Sequence, residues 1–395
     1  MDRILQKPPA SGYAFLAFFI ALFLFFTPFE YGAAHSTLPK YLAVALSTML
    51  IGPLLLIQRL RLREPSVIVF AVLATIVIHT TVINPVPGQF ILLIVCNLVL
   101  AILLYEASFK WRRQFVAALT WLLFLNAFFI SVQSLLFYAF GFGIFDFHKL
   151  IFGSNSRFAE DFLNIARFSG LHVEPGTYAN YIACLTAVLI LAADFTKRTM
   201  WVSFVGVVSI FLTNSGSSAY FVPVLTALLA YLWRREIRAV HIIVLLLAIV
   251  AYLHFSGVIH HFEARFMERD DGSLSHRIDG INTYLSLSLE QKFIGVGFDR
   301  DPCVRCFYQD IGVTFNLLTR GGALVTIALL VLAARMVSVN GVVLGAILFL
   351  VPLNEKMFFY EAPIWLFLLF ALTGCAAPAA RPLNPFAPAG RKIET

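Results

Sequence analysis

Charge is what this sequence has least of. Of 395 residues only 13% are Asp, Glu, Lys or Arg, whereas 60% are hydrophobic and Phe alone supplies 40. A soluble domain of this size carries a far more polar surface, so that class is excluded. Cysteine is scarce too. Three of the five, Cys96, Cys184 and Cys375, fall in apolar runs and read as packing residues, while Cys303 and Cys306 form a CxxC outside them. No thioredoxin-like strand and helix surround that CxxC, so it reads as a loop-pinning disulfide of an oxidising compartment rather than a redox centre. An internal repeat is also missing, and the polar material is confined to the second half, which argues against a transporter built from two related halves. The net charge of +7 raises nucleic acid as a partner. The basic residues form no stripe and belong to no polar module, so no nucleic acid is expected.

What the sequence does have is a succession of apolar runs, each on the order of the 20 residues that cross a bilayer. Twelve spans are expected, at 13 to 29, 40 to 57, 66 to 83, 89 to 105, 114 to 140, 176 to 193, 199 to 213, 217 to 232, 239 to 255, 312 to 334, 338 to 353 and 357 to 374. The fold class is therefore all-α: a polytopic integral membrane protein with one transmembrane domain over residues 1 to 375 and a cytoplasmic tail over 376 to 395. Arg3 and Lys7 precede the first run, which is too long for a signal-peptide core and reads as a retained helix. With those two residues inside, the even connections fall inside as well. They carry Arg59, Arg61 and Arg63, then Lys110, Arg112 and Arg113, then Lys197 and Arg198, then Arg234, Arg235 and Arg238, and finally Arg335. The short outer connections are nearly bare of cations, as the positive-inside rule requires. Two outer segments, 141 to 174 and 256 to 311, are too long to be plain connectors, so chemistry is expected on the outer face.

Residues 167 to 181, RFSGLHVEPGTYANY, concentrate that expectation. Pro175 reads as the first residue of a helix and Glu174 as its N-cap, which leaves the amides of Gly176, Thr177 and Tyr178 free at the mouth of a membrane helix. With Arg167 nearby this is an anion site of the kind that takes phosphate. The alternative is an ordinary capped helix with Arg167 snorkelling to the interface.

The second outer loop holds an amphipathic stretch, in which Ile278, Ile281, Leu285 and Leu289 recur at three- and four-residue steps. The spacing predicts one helix lying on the membrane, with Ser275 as its cap and Arg277 in its first turn. Most cations of this loop read as solvated charge balanced by neighbouring acids; Arg277, on a helix start at the interface, is the exception. Arg320 follows an apolar run inside the tenth span and is expected to face a polar cavity, with Glu361 as its counter-charge or as an interfacial residue. Asn214, Ser215, Ser217 and Ser218 form a polar outer turn that touches sugar or lets two helices pack closely. The pair Asp299 and Asp301 reads as loop charge. His260, His261 and Glu263 lack the further ligand that a metal site needs, so no metal and no cofactor are expected.

Two patterns, Arg-x-x-Gly-x-x-x-Glu-Pro-Gly at 167 to 176 and Ser-x-Arg through Gly-Val-Gly at 275 to 297, followed by a return into the membrane through Asn316 to Gly322, resemble the O-antigen polymerase and O-antigen ligase superfamily. The resemblance covers about residues 120 to 375. It implies a membrane glycosyltransferase of the broad GT-C type in the bacterial inner membrane, its active site facing the periplasm. Such an enzyme moves a saccharide from undecaprenyl diphosphate to an acceptor hydroxyl. Its implied partners are the lipid-linked oligosaccharide, membrane lipid, and chain-length regulator and flippase proteins. Arg167 and Arg277, joined by Arg320, are the candidates for binding the diphosphate. Glu174, His172 and Asp310 are the candidates for the base, and Tyr178, Tyr181, Tyr284 and Asn316 those for contact with sugar. Ligases of the superfamily carry a His just before the return helix; Tyr308, Gln309 and Asp310 stand there in this chain, which favours polymerase over ligase. A lipid-linked saccharide flippase is the alternative of another class.

Overall fold

Prolines that open apolar runs in the sequence open helices in the structure. This computed structural model describes residues 9–27, 38–58, 62–83, 85, 88–141, 145–153, 155–156, 166–194, 196–234, 272–298, 312–353 and 361–374. Pro65, Pro175 and Pro363 each stand in the first turn of a helix, where a missing N–H costs nothing. The helices are α1 (Pro9–Phe26), α2 (Leu38–Gln58), α3 (Glu64–Ile78), which runs on into a π-helical turn (His79–Ile83), α4 (Gly88–Lys110) and α5 (Arg112–Phe140). The short α6 (Phe147–Phe152) precedes α7 (Pro175–Ala192), α8 (Lys197–Phe211) and α9 (Gly216–Leu232). The described second half holds α10 (Gly272–Ser286), α11 (Leu289–Ile294), α12 (Val313–Asn340), α13 (Val342–Leu353) and α14 (Ala362–Thr373). Among the described residues there is no strand.

Five stretches are long and apolar enough to cross a membrane: Glu64–Ile83, Ile91–Lys110, Arg112–Phe140, Pro175–Ala192 and Val313–Asn340. Shorter apolar runs lie in α1, α2, α9, α13 and α14. Leu16, Met49, Phe70, Trp121, Phe128 and Leu330 are exposed on the outside of the bundle, a surface suited to lipid rather than water. The chain is a membrane-embedded helical protein. The expected span at 239 to 255 and the tail from 376 lie outside the described residues.

Contacts at the helix ends show that helices consecutive in the chain alternate in direction, while α2 and α4, and α7 and α14, pack in parallel. At one face the Tyr41 hydroxyl donates to the Gln89 carbonyl (2.6 Å), Thr314 Oγ1 to the Pro352 carbonyl (3.1 Å) and the Tyr181 hydroxyl to the Glu361 carboxylate. At the opposite face Lys110 Nζ donates to the Ile57 carbonyl (3.2 Å), Arg112 Nε to the Ala192 carbonyl (2.8 Å), and Arg335 pairs with Glu64 (2.7 Å). Arg63, Arg113, Lys197 and Arg198, in or beside the short helix connections, lie at this second face. A buried acid there is satisfied: Glu106 accepts from the Arg63 guanidinium, the Arg63 amide (2.8 Å) and Ser66 Oγ (2.5 Å).

The centre of the bundle is α7, buried along almost its whole length between α5, α8, α9 and α14. Its N-terminus, and so the 166–174 connector, is thereby held at the first face.

Candidate functional site

Glu174 takes the extended backbone of an N-cap, as Pro175 demands. Its side chain does not cap the helix backbone; Oε1 accepts from Thr177 Oγ1 (3.1 Å), and the carboxylate is left partly exposed. The Tyr178 amide is spent on the Glu174 carbonyl (3.0 Å), so of the three amides expected to be free only those of Gly176 and Thr177 remain as first-turn donors.

The connector that delivers Glu174 is stapled to α5. Gln133 Oε1 accepts from the amides of Ser169 (3.0 Å) and Gly170 (2.9 Å), while its Nε2 donates to the Phe145 carbonyl (2.7 Å). The buried ring of His148 donates from Nδ1 to the Leu171 carbonyl (2.8 Å), and Asn214 Nδ2 donates to the Ala166 carbonyl (3.0 Å). Gly170, at φ +56, lies so close under Tyr178 that a Cβ there would be 3.2 Å from the ring. These bonds fix the polypeptide on the N-terminal side of His172, from Ala166 to Leu171.

His172 itself is fully buried. Nε2 donates to Asn126 Oδ1 (3.2 Å), and the ring meets Tyr178 edge-on at 5.1 Å and Tyr181 at 5.7 Å. That bond leaves the lone pair on Nδ1, which has no hydrogen-bond partner among the described residues. Burial, reinforced by His148, pushes the imidazole down to about 3, so it is neutral at pH 7. Tyr181 links this cluster to α14 through Glu361. Glu361 is thus a partner of Tyr181, a role not foreseen for it. Arg167 stands in the same connector, half-buried.

A second group of predicted residues lies on α10 to α12. The expected single amphipathic helix is two: α10 begins at Gly272, three residues before the expected cap Ser275, and ends at Ser286. Ser288 and Gln291 then form a reciprocal capping box that starts α11. Ile278, Leu285, Leu289 and Phe293 are exposed along them. Tyr284 packs edge-on against Phe315 of α12 (6.3 Å). Arg277 is carried by α10; its side chain lies outside the described residues, as does the whole of Asp310.

The tenth span is not one helix. Gly322 has φ +60 and ψ −152, which breaks α12 just after Arg320. The extended residues after α11 fill the break: the Val296 amide donates to the Thr319 carbonyl (3.1 Å) and the Gly297 amide to the Arg320 carbonyl (3.1 Å). The Arg320 guanidinium in turn donates to the Phe298 carbonyl. His79, in the π-helical turn after α3, closes the group by donating from Nε2 to the Ile294 carbonyl (2.7 Å) with its ring against Phe298 (5.2 Å). Asn316, one helical turn before Arg320, is buried.

The structure therefore brings His172, Glu174, Tyr178 and Tyr181 together at the mouth of α7. Tyr284, Asn316 and Arg320 form a separate group around the break in α12. Sequence reasoning missed Asn126, Gln133, His148 and His79. Asn126 and Gln133 did leave a signal: two amides seven residues apart, on one face of an otherwise apolar helix. No protein-family model matches the chain, and no curated protein matches it.

Proposed function

We propose that this protein is a polysaccharide polymerase of the bacterial inner membrane, a twelve-span glycosyltransferase of the broad GT-C type. It transfers a glycan from undecaprenyl diphosphate to an acceptor saccharide hydroxyl on the periplasmic side, and the cation-rich face is the cytoplasmic one. The observation that carries the reading is the stapled connector, which bears Arg167 and brings His172 and Glu174 to the N-terminus of α7. A diphosphate leaves readily once its growing negative charge is matched, and guanidinium groups with helix-end amides match it. Arg167 and the amides of Gly176 and Thr177 serve that role, with Arg277 and Arg320. Glu174 is the base for the acceptor hydroxyl, being a partly exposed carboxylate, whereas the buried neutral His172 positions Tyr178 and Tyr181. Half-buried Tyr284, beside Lys292, offers a ring face to sugar.

One observation favours a second reading. A broken helix beside an arginine is a feature of transporters, and the break in α12 next to Arg320 is consistent with a flippase of the lipid-linked saccharide.

Surface polysaccharide from a deletion strain, complemented with wild type, Arg167→Ala or Arg277→Ala, separates the two. A polymerase leaves a single repeat unit on its acceptor when the gene is lost, and both variants fail to restore the ladder although they insert normally. Full-length ladders from both variants overturn the polymerase reading. Loss of all surface saccharide, with lipid-linked units trapped on the cytoplasmic leaflet, establishes the flippase.

A further inference from the structure

At the face opposite the candidate site, the connections between α4 and α5 and between α7 and α8 enclose a pocket of about 650 Å3. Lys110, Arg112, Arg113 and Arg198 line it, with Asp194 the single acid among its lining residues. Two of these cations are engaged. Lys110 Nζ is bonded to the Ile57 carbonyl, and Arg112 is held by the Ala192 carbonyl (2.8 Å) and by Asp194 (3.3 Å). Arg113 and Arg198 are exposed and have no ion-pair partner among the described residues. Two helices begin at this pocket, α5 at Arg112 and α8 at Lys197, and two end there, α4 at Lys110 and α7 at Ala192, so the helix ends balance in sign and the side chains set the charge. The Thr196 cap takes only the Thr199 amide (3.2 Å), which leaves spare N–H donors at the start of α8.

Membrane topology alone accounts for the sign of these charges; it does not account for the apolar groove beside them. Trp121 lines both the basic pocket and a groove of about 950 Å3 walled by α1, α5 and α8, with Phe15, Phe19 and Phe128 on its sides. Along α8 the same continuity holds, since Val202 lines the pocket and Val205 the groove. An anion site at the membrane surface that shares a tryptophan wall with an apolar groove has the polarity of a single amphiphile.

We propose that this pocket and the adjoining groove together bind an anionic phospholipid, its phosphodiester headgroup on Arg113 and Arg198 and an acyl chain in the groove between α1, α5 and α8. The chemistry needed is a phosphate ester attached to a hydrocarbon chain; a zwitterionic headgroup brings an ammonium among four cations and is disfavoured. The inference does not depend on the reaction proposed for the opposite face.

The full chain, purified in detergent, is exposed to vesicles of equal parts phosphatidylglycerol and phosphatidylcholine, and retained lipid is read by native mass spectrometry. Phosphatidylglycerol is retained in preference, the Arg113→Ala/Arg198→Ala pair lowers its retention by about tenfold or more, and Arg113→Lys/Arg198→Lys keeps most of it. Trp121→Ala weakens retention without changing the headgroup preference. Equal retention of both lipids, or unchanged retention in the double alanine variant with a wild-type melting temperature, overturns the proposal. Arginine-dependent binding of inorganic phosphate with no retained phosphatidylglycerol overturns it as well, since the pocket is then a free-anion site.

Discussion

His172 is a histidine in a place that refuses charge. Its ring is enclosed by Asn126, Tyr178 and Tyr181, and burial holds its folded-state pKa near 3, below the 6.5 of an exposed imidazole. Between those values the unfolded chain binds a proton that the folded chain does not, so stability falls as pH drops from 6.5 toward 3 and is flat above 6.5. The slope from this residue approaches about 1.4 kcal/mol per pH unit. Thermal melts of the detergent-purified protein at pH 7 and pH 4.5 measure it, and His172→Gln, which keeps a donor for Asn126, shrinks the difference. Gln133 acts through neutral bonds. Replacing it with Leu strands the buried amides of Ser169 and Gly170 and costs about 2–4 kcal/mol, read as a lower melting temperature and faster proteolysis of the 141 to 174 segment. Glu174, by contrast, stands at the mouth of α7 with one oxygen tied only to Thr177. For the proposed reaction, Glu174→Gln slows polymer formation by roughly 10²–10⁴ while the melting temperature stays near wild type.

At the scale of elements the decisive feature is the break in α12. A Cβ on Gly322 would lie 2.4 Å from the Gly295 amide nitrogen and 2.4 Å from the Phe293 carbonyl oxygen, and its backbone is in a region that only glycine enters cheaply. Gly295 is as tightly placed, since its Cβ would lie 2.2 Å from the Arg320 carbonyl oxygen. The two glycines let the chain after α11 lie against the interrupted helix and take up carbonyls left without helical donors. Gly322→Ala is expected to destabilise the protein by about 3 kcal/mol or more and to release α10 and α11 from the bundle. Hydrogen exchange reads that release as lost protection at the amides of Val296 and Gly297, with the amides of α7 still protected. A helix straightened by alanine with those two amides still protected would contradict this account of the break. Along α5 the division of labour is different: Asn126 and Gln133 hold the connector of the candidate site, while Trp121 and Phe128 face the apolar groove.

Across the whole molecule, the candidate site and the basic pocket lie at opposite ends of α7, whose 18 residues span about 27 Å of a bilayer's thickness. The cations on one face predict the orientation. In a cysteine-free background Arg198→Cys reacts with an impermeant maleimide only in inside-out vesicles, and Glu290→Cys only in intact spheroplasts; the reverse pattern would invert the assignment of faces. Hydropathy and charge placement were enough for the class of fold and the grouping of charges by face, because the bilayer imposes its length and polarity on every helix independently of its neighbours. The start of α7 was legible for a similarly local reason, since Pro175 restricts itself and the residue before it. The break at Gly322 was not legible. Two glycines in an apolar run read as a tolerated weak point, and what opens the helix is a segment some twenty-five residues earlier in the chain that supplies replacement hydrogen bonds. Nor could the sequence pair His172 with Asn126, Tyr181 with Glu361 or Trp121 with two cavities at once. Periodicity records which residues face the interior; which partner waits there depends on how helices far apart in the chain pack, and only the tertiary structure decided that.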